Sequence, residues 1–123
     1  MWSWFTHGHT NTKDGDSVAE GIGQSRVTKN LAGATIDLAY RITDQSALTI
    51  VLQLLREEGL FLGLSSGINL AGAVRLAQER GPGQTIVTVL CDSGAKYQSK
   101  HYNLAWLKEH NLDPDLPIDT VLA

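Results

Sequence analysis

The sequence predicts an α/β fold, a partial three-layer arrangement in which helices flank a parallel sheet, and three observations point there. A dense apolar pattern at helical spacing fills residues 44–58, a β-branched run fills 85–91, and helical and strand patterns alternate along the chain. Such alternation implies parallel strands joined by right-handed crossovers. The 123 residues read as one partial domain: 1–43 mostly loop, 44–112 helix, strand, helix, strand, helix, and 113–123 an irregular tail.

Residues 1–43 hold five of the twelve glycines, Gly8, Gly15, Gly21, Gly23 and Gly33, among polar residues with little periodicity, which predicts loop. From Asp44 the pattern changes. Ala47, Leu48, Val51, Leu52, Leu54 and Leu55 recur at helical spacing, between Thr43 as an N-cap and Gly59 as a stop. Apolar residues cover much of this helix, so it needs neighbours on more than one side. Leu60-Phe61-Leu62-Gly63-Leu64 is too short for a helix and reads as a strand leading into Ser65-Ser66-Gly67.

A second helix follows, marked by Leu70, Ala73, Val74 and Ala77, and Gly81-Pro82-Gly83 ends it. Its small residues Gly67, Ala71, Gly72 and Ala73 allow another backbone to approach closely. Thr85 to Cys91 reads as a strand buried on both faces. A last amphipathic helix is expected from about Ser99 to His110, with Tyr102, Ala105, Trp106 and Leu107 as its apolar contributors, before Pro114 and Pro117. Two strands are few beside the roughly five or six of an ordinary sheet. The chain is therefore expected to borrow strands from a partner or to belong to something larger.

A hydrophobic content of 42% and a net charge of -3 are ordinary for a soluble globular chain. No basic run is dense enough to track nucleic acid or an anionic membrane, and no apolar stretch approaches the roughly 18 residues a membrane span needs. The first ten residues lack the features of a targeting segment. One cysteine, Cys91, allows no intrachain disulfide and fits a reducing, cytoplasmic setting.

Two polar turns follow apolar runs, Ser65-Ser66-Gly67 and Asp92-Ser93-Gly94, and ligands of open parallel sheets bind at the carboxyl ends of strands. The two are expected to be neighbours, the first at a helix N-terminus whose N–H groups favour an electron-rich partner. Helix capping by Ser65 or Ser66 and turn-shaping by Asp92 are the plainer alternatives. Gly63 to Gly67 also fits the G-x-S-x-G elbow of serine hydrolases, with Asp92 and His101 following in order, but no glycine-rich oxyanion loop precedes it.

Gly21-Ile22-Gly23-Gln24-Ser25-Arg26 lacks the third glycine of a dinucleotide fingerprint. His7-Gly8-His9 has no further ligand nearby to complete a metal shell, and Glu57 and Glu58 sit side by side at a helix end. No metal site and no acid/base carboxylate pair is expected.

The ordered set Glu20-Gly21-Ile22-Gly23, Arg56-Glu57-Glu58-Gly59-Leu60, Gly63-Leu64-Ser65-Ser66-Gly67-Ile68-Asn69, Ile86 to Leu90, Asp92-Ser93-Gly94 and Tyr97 resembles the C-terminal third of cysteine synthase (O-acetylserine sulfhydrylase). Cysteine synthase is a pyridoxal phosphate enzyme of fold type II, the tryptophan synthase β-like architecture. The resemblance runs from about Asp16 to Leu112. It implies that Ser65 hydrogen-bonds the pyridine nitrogen of the cofactor, that Asp92 and Ser93 surround the ring, and that Gly21, Ile22 and Gly23 line the substrate side. A neutral hydroxyl there suits β-elimination of acetate and addition of sulfide, whereas a carboxylate would hold the ring protonated.

The family's Schiff-base lysine, Ser/Asn substrate loop and phosphate cup have no counterpart among these residues, since Lys13, Lys29, Lys96, Lys100 and Lys108 lie in other contexts. No catalytic residue is therefore assigned, and the chain alone is expected to be inactive. Ala95-Lys96 replaces a bulkier residue and arginine, and Cys91 stands where many members have proline and reads as packing. Two expectations about partners follow: self-association, or union with a missing N-terminal half. A non-catalytic binding or assembly module is the other class of role.

Overall fold

The structure, a computed structural model, describes residues 1–10, 17–22 and 26–122. These divide into two units, Met1–Arg41 and Ile42–Ala123. In the first, α1 (Trp2–His7) ends at Gly8, whose φ of 74° is the left-handed conformation that glycine adopts without strain. Thr28 caps α2 (Lys29–Ala32) by accepting from the Leu31 N–H at 3.4 Å. The rest of what is described there is irregular.

The second unit is built on two long helices. Helix α3 (Asp44–Glu58) starts where the Thr43 hydroxyl accepts the Ser46 N–H at 3.1 Å and stops at Gly59, φ 69°. Both ends lie where the caps predict. Residues Ala47, Leu48, Thr49, Ile50, Val51 and Leu52 are all buried, so nearly two turns of α3 have no open face. Helix α4 (Leu64–Arg80) packs along it and ends at Gly81.

Gly67 makes that packing possible. A Cβ at this position would overlap the backbone of Ala47, so the two helices meet backbone to backbone. Gly72, one turn and a half further along α4, has open space around it. The tail returns to the helices through polar bonds. Gln45 exchanges two with the Asp113 backbone, at 2.7 and 2.8 Å, and Gln78 donates to the Leu122 carbonyl at 2.7 Å. Arg56 reaches the Pro114 carbonyl at 3.0 Å and Asp115 at 3.2 Å, and Asp119–Leu122 forms a last helical turn.

The sheet differs from expectation. Among the described residues no strand ladder forms, and the one bridge joins Leu62 to Ser93 in antiparallel sense. Residues 85–91, expected to be buried on both faces, are largely open: Val87 is 88% and Val89 63% exposed. The reason is that a strand exists only through its neighbour. The other apolar run, 60–64, contributes just a short pairing and then enters α4, leaving 85–91 without a parallel companion.

The last expected helix is also shorter. Gly94–Tyr97 forms a 3-10 turn, and a full helix, α5 (Leu104–Glu109), begins only after Asn103, whose side chain accepts the N–H groups of Ala105 and Trp106 at 3.0 and 3.3 Å. Asn103 is a stronger start signal than Ser99 because its amide oxygen reaches those two donors. No helix among the described residues is long and apolar enough to cross a membrane.

The close approach of α3 and α4 yields a paired expectation. Gly67→Ala should destabilise the chain by about 1–3 kcal/mol through overpacking, while Gly72→Ala should stabilise it by up to about 1 kcal/mol through helix propensity. Urea denaturation measures both. Equal effects of the two substitutions would contradict the packing described.

Candidate functional site

Two chain segments meet where α4 begins. The Gly63 N–H donates to the Asp92 carbonyl at 2.9 Å, and the Gly94 N–H donates to the Phe61 carbonyl at 3.0 Å. This short antiparallel pairing sets the two polar turns side by side, as expected for neighbours. Aromatic rings brace it from one side: Phe61 and Tyr102 pack edge to face at 4.6 Å, and the Tyr102 hydroxyl donates to the Leu62 carbonyl. Burial raises the pKa of the Tyr102 phenol above its ordinary value. Gly94 is required here, since a Cβ would strike both rings.

The serines do not cap the helix. Gly63 occupies the N-cap without any side-chain bond, and Leu64, Ser65, Ser66 and Gly67 already form the first turn of α4. Ser66 is fully buried, and its hydroxyl accepts the Cys91 N–H at 3.0 Å. Asn69, one turn on, donates to the Val89 carbonyl at 2.9 Å. Together they dock the end of the 85–91 run on α4. Cys91 is free and exposed, with its sulfur 3.4 Å from the Asn69 amide nitrogen.

Ser65 is 8% exposed, and its hydroxyl donates to Asp92 Oδ1 at 3.4 Å. Asp92 Oδ2 accepts the Tyr97 hydroxyl at 2.7 Å and lies 3.7 Å from the Lys96 ammonium. The carboxylate occupies the space that a side chain at 63 would fill, because a Cβ on Gly63 would overlap both Asp92 and the Tyr97 ring. It thus stands at the N-terminus of a 17-residue helix, where negative charge is favoured.

Of the residues singled out from sequence, Ser65 and Asp92 are brought together. Ser93 adjoins them, but its exposed side chain accepts the Ala95 N–H at 3.2 Å and caps the 3-10 turn. Gly21, with φ 75°, and half-buried Ile22 belong to the unit of residues 1–41, and Gly23 lies outside the described residues. Tyr97 and Asn69 are contributors that sequence reading left without a role, and Ser66, weighed there as a helix cap, binds the Cys91 N–H instead. The one available signal is a tyrosine five positions after an aspartate, across a glycine turn.

His101, third in the hydrolase order, is fully buried against Tyr97, with ring centres 4.9 Å apart, and meets Trp106 edge-on at 5.3 Å. His7 and His9 are exposed and stacked at 5.9 Å. Among the described residues no three His, Cys, Asp or Glu side chains are grouped so as to hold a metal.

Residues 3–92 match the family described as pyridoxal-phosphate dependent enzyme. The chain is 45% identical over 104 residues to cysteine synthase 2 of Schizosaccharomyces pombe, a match covering 83% of this chain and 26% of the relative. It is 47% identical over 95 residues to a cysteine synthase of Dictyostelium discoideum, covering 77% and 25%, and 34% identical over 97 residues to that organism's cystathionine beta-synthase, covering 78% and 20%. The chain spans about a quarter of the length of the curated relatives it matches. The match supports fold-type-II architecture, although the parallel sheet is not formed by the described residues. On a family match that covers most of its length, this chain belongs to the pyridoxal-phosphate dependent enzymes.

Proposed function

We propose that the chain carries the serine-bearing part of a cysteine synthase, an enzyme that replaces the acetate of O-acetylserine with sulfide to give cysteine. The carrying observation is the convergence of Ser65 and Asp92 at the start of α4, in a chain similar to proteins named cysteine synthase. In this reading Ser65 faces the pyridine nitrogen of pyridoxal phosphate and Asp92 and Ser93 belong to the surroundings of the ring, while the assignment of Gly21, Ile22 and Gly23 to the substrate side rests on the sequence resemblance alone.

The residues fit that group. Ser65 is nearly buried and its hydroxyl has one long bond, at 3.4 Å, so its remaining hydrogen-bonding capacity is available to a ring nitrogen. Gly63 has no side chain, and the Asp92 carboxylate takes that space at the helix start, where the dipole favours its negative charge and its Oδ1 reaches Ser65. When bound, pyridoxal phosphate supplies an electron sink for the substrate's α-carbon.

The chain's own residues bind and orient rather than transfer protons. Ser65 holds the ring edge, Asp92 holds Ser65, and the half-buried Phe61–Tyr102 contact braces the turn. A Schiff-base lysine and the base for the α-proton must come from the rest of the enzyme, so the chain alone is inactive. Because the hydroxyl of Ser65 engages Asp92 itself rather than an imidazole, a Ser65 nucleophile activated by His101 has less support. The free Cys91 suits a reducing, cytoplasmic setting.

One observation favours an assembly role beside this one. The exposed Val87, Val89 and Leu90 form an apolar run that a partner would cover, either a second copy or a complementing N-terminal half.

Two experiments test these readings. Purified chain treated with pyridoxal phosphate and borohydride should gain no specific lysine adduct and should form no cysteine from O-acetylserine and sulfide; robust turnover would overturn the need for a second part. In light scattering the chain should associate, and Val87→Lys with Val89→Lys should shift it to monomer. A monomeric unsubstituted chain would argue against the assembly role.

A further inference from the structure

We infer that Tyr97 is a positioning residue that fixes the Asp92 carboxylate at a distance from Ser65, so that the one hydroxyl hydrogen of Ser65 can be given to a cofactor ring nitrogen that carries none. The inference rests on Ser65 facing that nitrogen, as proposed above, and concerns what keeps its hydroxyl able to donate.

A carboxylate beside Ser65 is a competitor for the ring. A ring nitrogen without a hydrogen is an acceptor, so Ser65 must be the donor, and a serine hydroxyl has a single hydrogen. The carboxylate is a charged acceptor, and charged acceptors form the stronger bond. Brought to the ordinary O–H···O distance, Asp92 would keep the hydrogen that the ring needs. The two are held apart instead: Asp92 Oδ1 lies 3.4 Å from the Ser65 hydroxyl, beyond the roughly 2.5–3.0 Å of an ordinary bond. Ser65 is thus oriented without being captured.

Tyr97 sets that distance. Its hydroxyl donates to Asp92 Oδ2 at 2.7 Å, much shorter than the contact with Ser65, and moving the carboxylate toward Ser65 would stretch this bond. The phenol is itself held. Tyr97 is 8% exposed, its ring stacks on the fully buried His101 at 4.9 Å, and its edge lies where a side chain on residue 63 would go. The backbone fixes the other end of Asp92, whose carbonyl takes the Gly63 N–H at 2.9 Å. Lys96 also approaches Oδ2, at 3.7 Å, but it is 70% exposed and screened by solvent, so the buried phenol is the stronger anchor.

The test uses pyridin-3-ylmethyl phosphate, which keeps a ring nitrogen and a phosphate arm. It has no aldehyde and so needs no lysine, and at mildly alkaline pH its ring nitrogen carries no hydrogen. Titrated into the full chain and followed by the amide resonances of the first turn of α4, it should bind saturably, and Ser65→Ala should weaken binding. Tyr97→Phe, which removes one donor and keeps the ring, should weaken it by about threefold to tenfold, the worth of one hydrogen bond. Adding Asp92→Asn to Tyr97→Phe should restore it, because the asparagine amide can donate to Ser65 and leave the hydroxyl hydrogen to the ring. Damaged packing would not be repaired by a second substitution in the same cluster. Asp92→Asn alone should bind the probe at least as tightly as the unsubstituted chain does.

Binding unchanged by Tyr97→Phe, or a loss that Asp92→Asn does not restore, would overturn this inference and leave the Ser65 reading standing as long as Ser65→Ala weakens binding. Weaker binding with Asp92→Asn alone would overturn it as well, a comparison that leaves Tyr97 in place. No saturable binding to the unsubstituted chain, or binding that Ser65→Ala leaves intact, would overturn both.

Discussion

Two backbone hydrogen bonds, from Gly63 to the Asp92 carbonyl and from Gly94 to the Phe61 carbonyl, are the constraint on which the second unit's chemistry depends. They join segments about thirty residues apart and fix both ends of a short antiparallel pairing. Everything of interest at the site is placed relative to it. Helix α4 leaves from one side carrying Ser65, Ser66 and Asn69 in its first two turns. From the other side come Asp92, the 3-10 turn and Tyr97.

Close contact is achieved by omission of side chains. Gly63 gives its space to the Asp92 carboxylate, Gly67 gives its space to the Ala47 backbone, and Gly94 gives its space to the Phe61 and Tyr102 rings. None of these three has a positive φ, so their value lies in missing atoms rather than in unusual backbone geometry. The result is a polar cluster with little freedom. The carboxylate meets the serine because backbone and tyrosine hold it there.

Helix α3 was legible at both ends because its signals are local: a threonine hydroxyl reaches an N–H three residues on, and glycine accepts a left-handed turn. The proximity of Ser65 and Asp92 was legible for a related reason, since each follows an apolar run. What their side chains do was not, because the hydroxyl of Tyr97 and the space beside Gly63 that Asp92 fills enter only when the chain is folded. The run at 85–91 shows the same limit from the other direction. Its β-branched residues express a preference for a sheet, and burial depends on strands these residues do not supply. At Ser99 to Asn103 several plausible start signals compete, and the one with two N–H partners prevails.

Amide hydrogen exchange of the full chain tests the central claim most directly, because it reads the Gly63–Asp92 pairing without a ligand or a partner. The Gly63 and Gly94 amides should be strongly protected, while those of Val87 and Thr88, which have no comparable pairing, should exchange rapidly. Gly63 exchanging as fast as Val87 would mean that the pairing does not persist, and the placement of Asp92 beside Ser65 would fall with it.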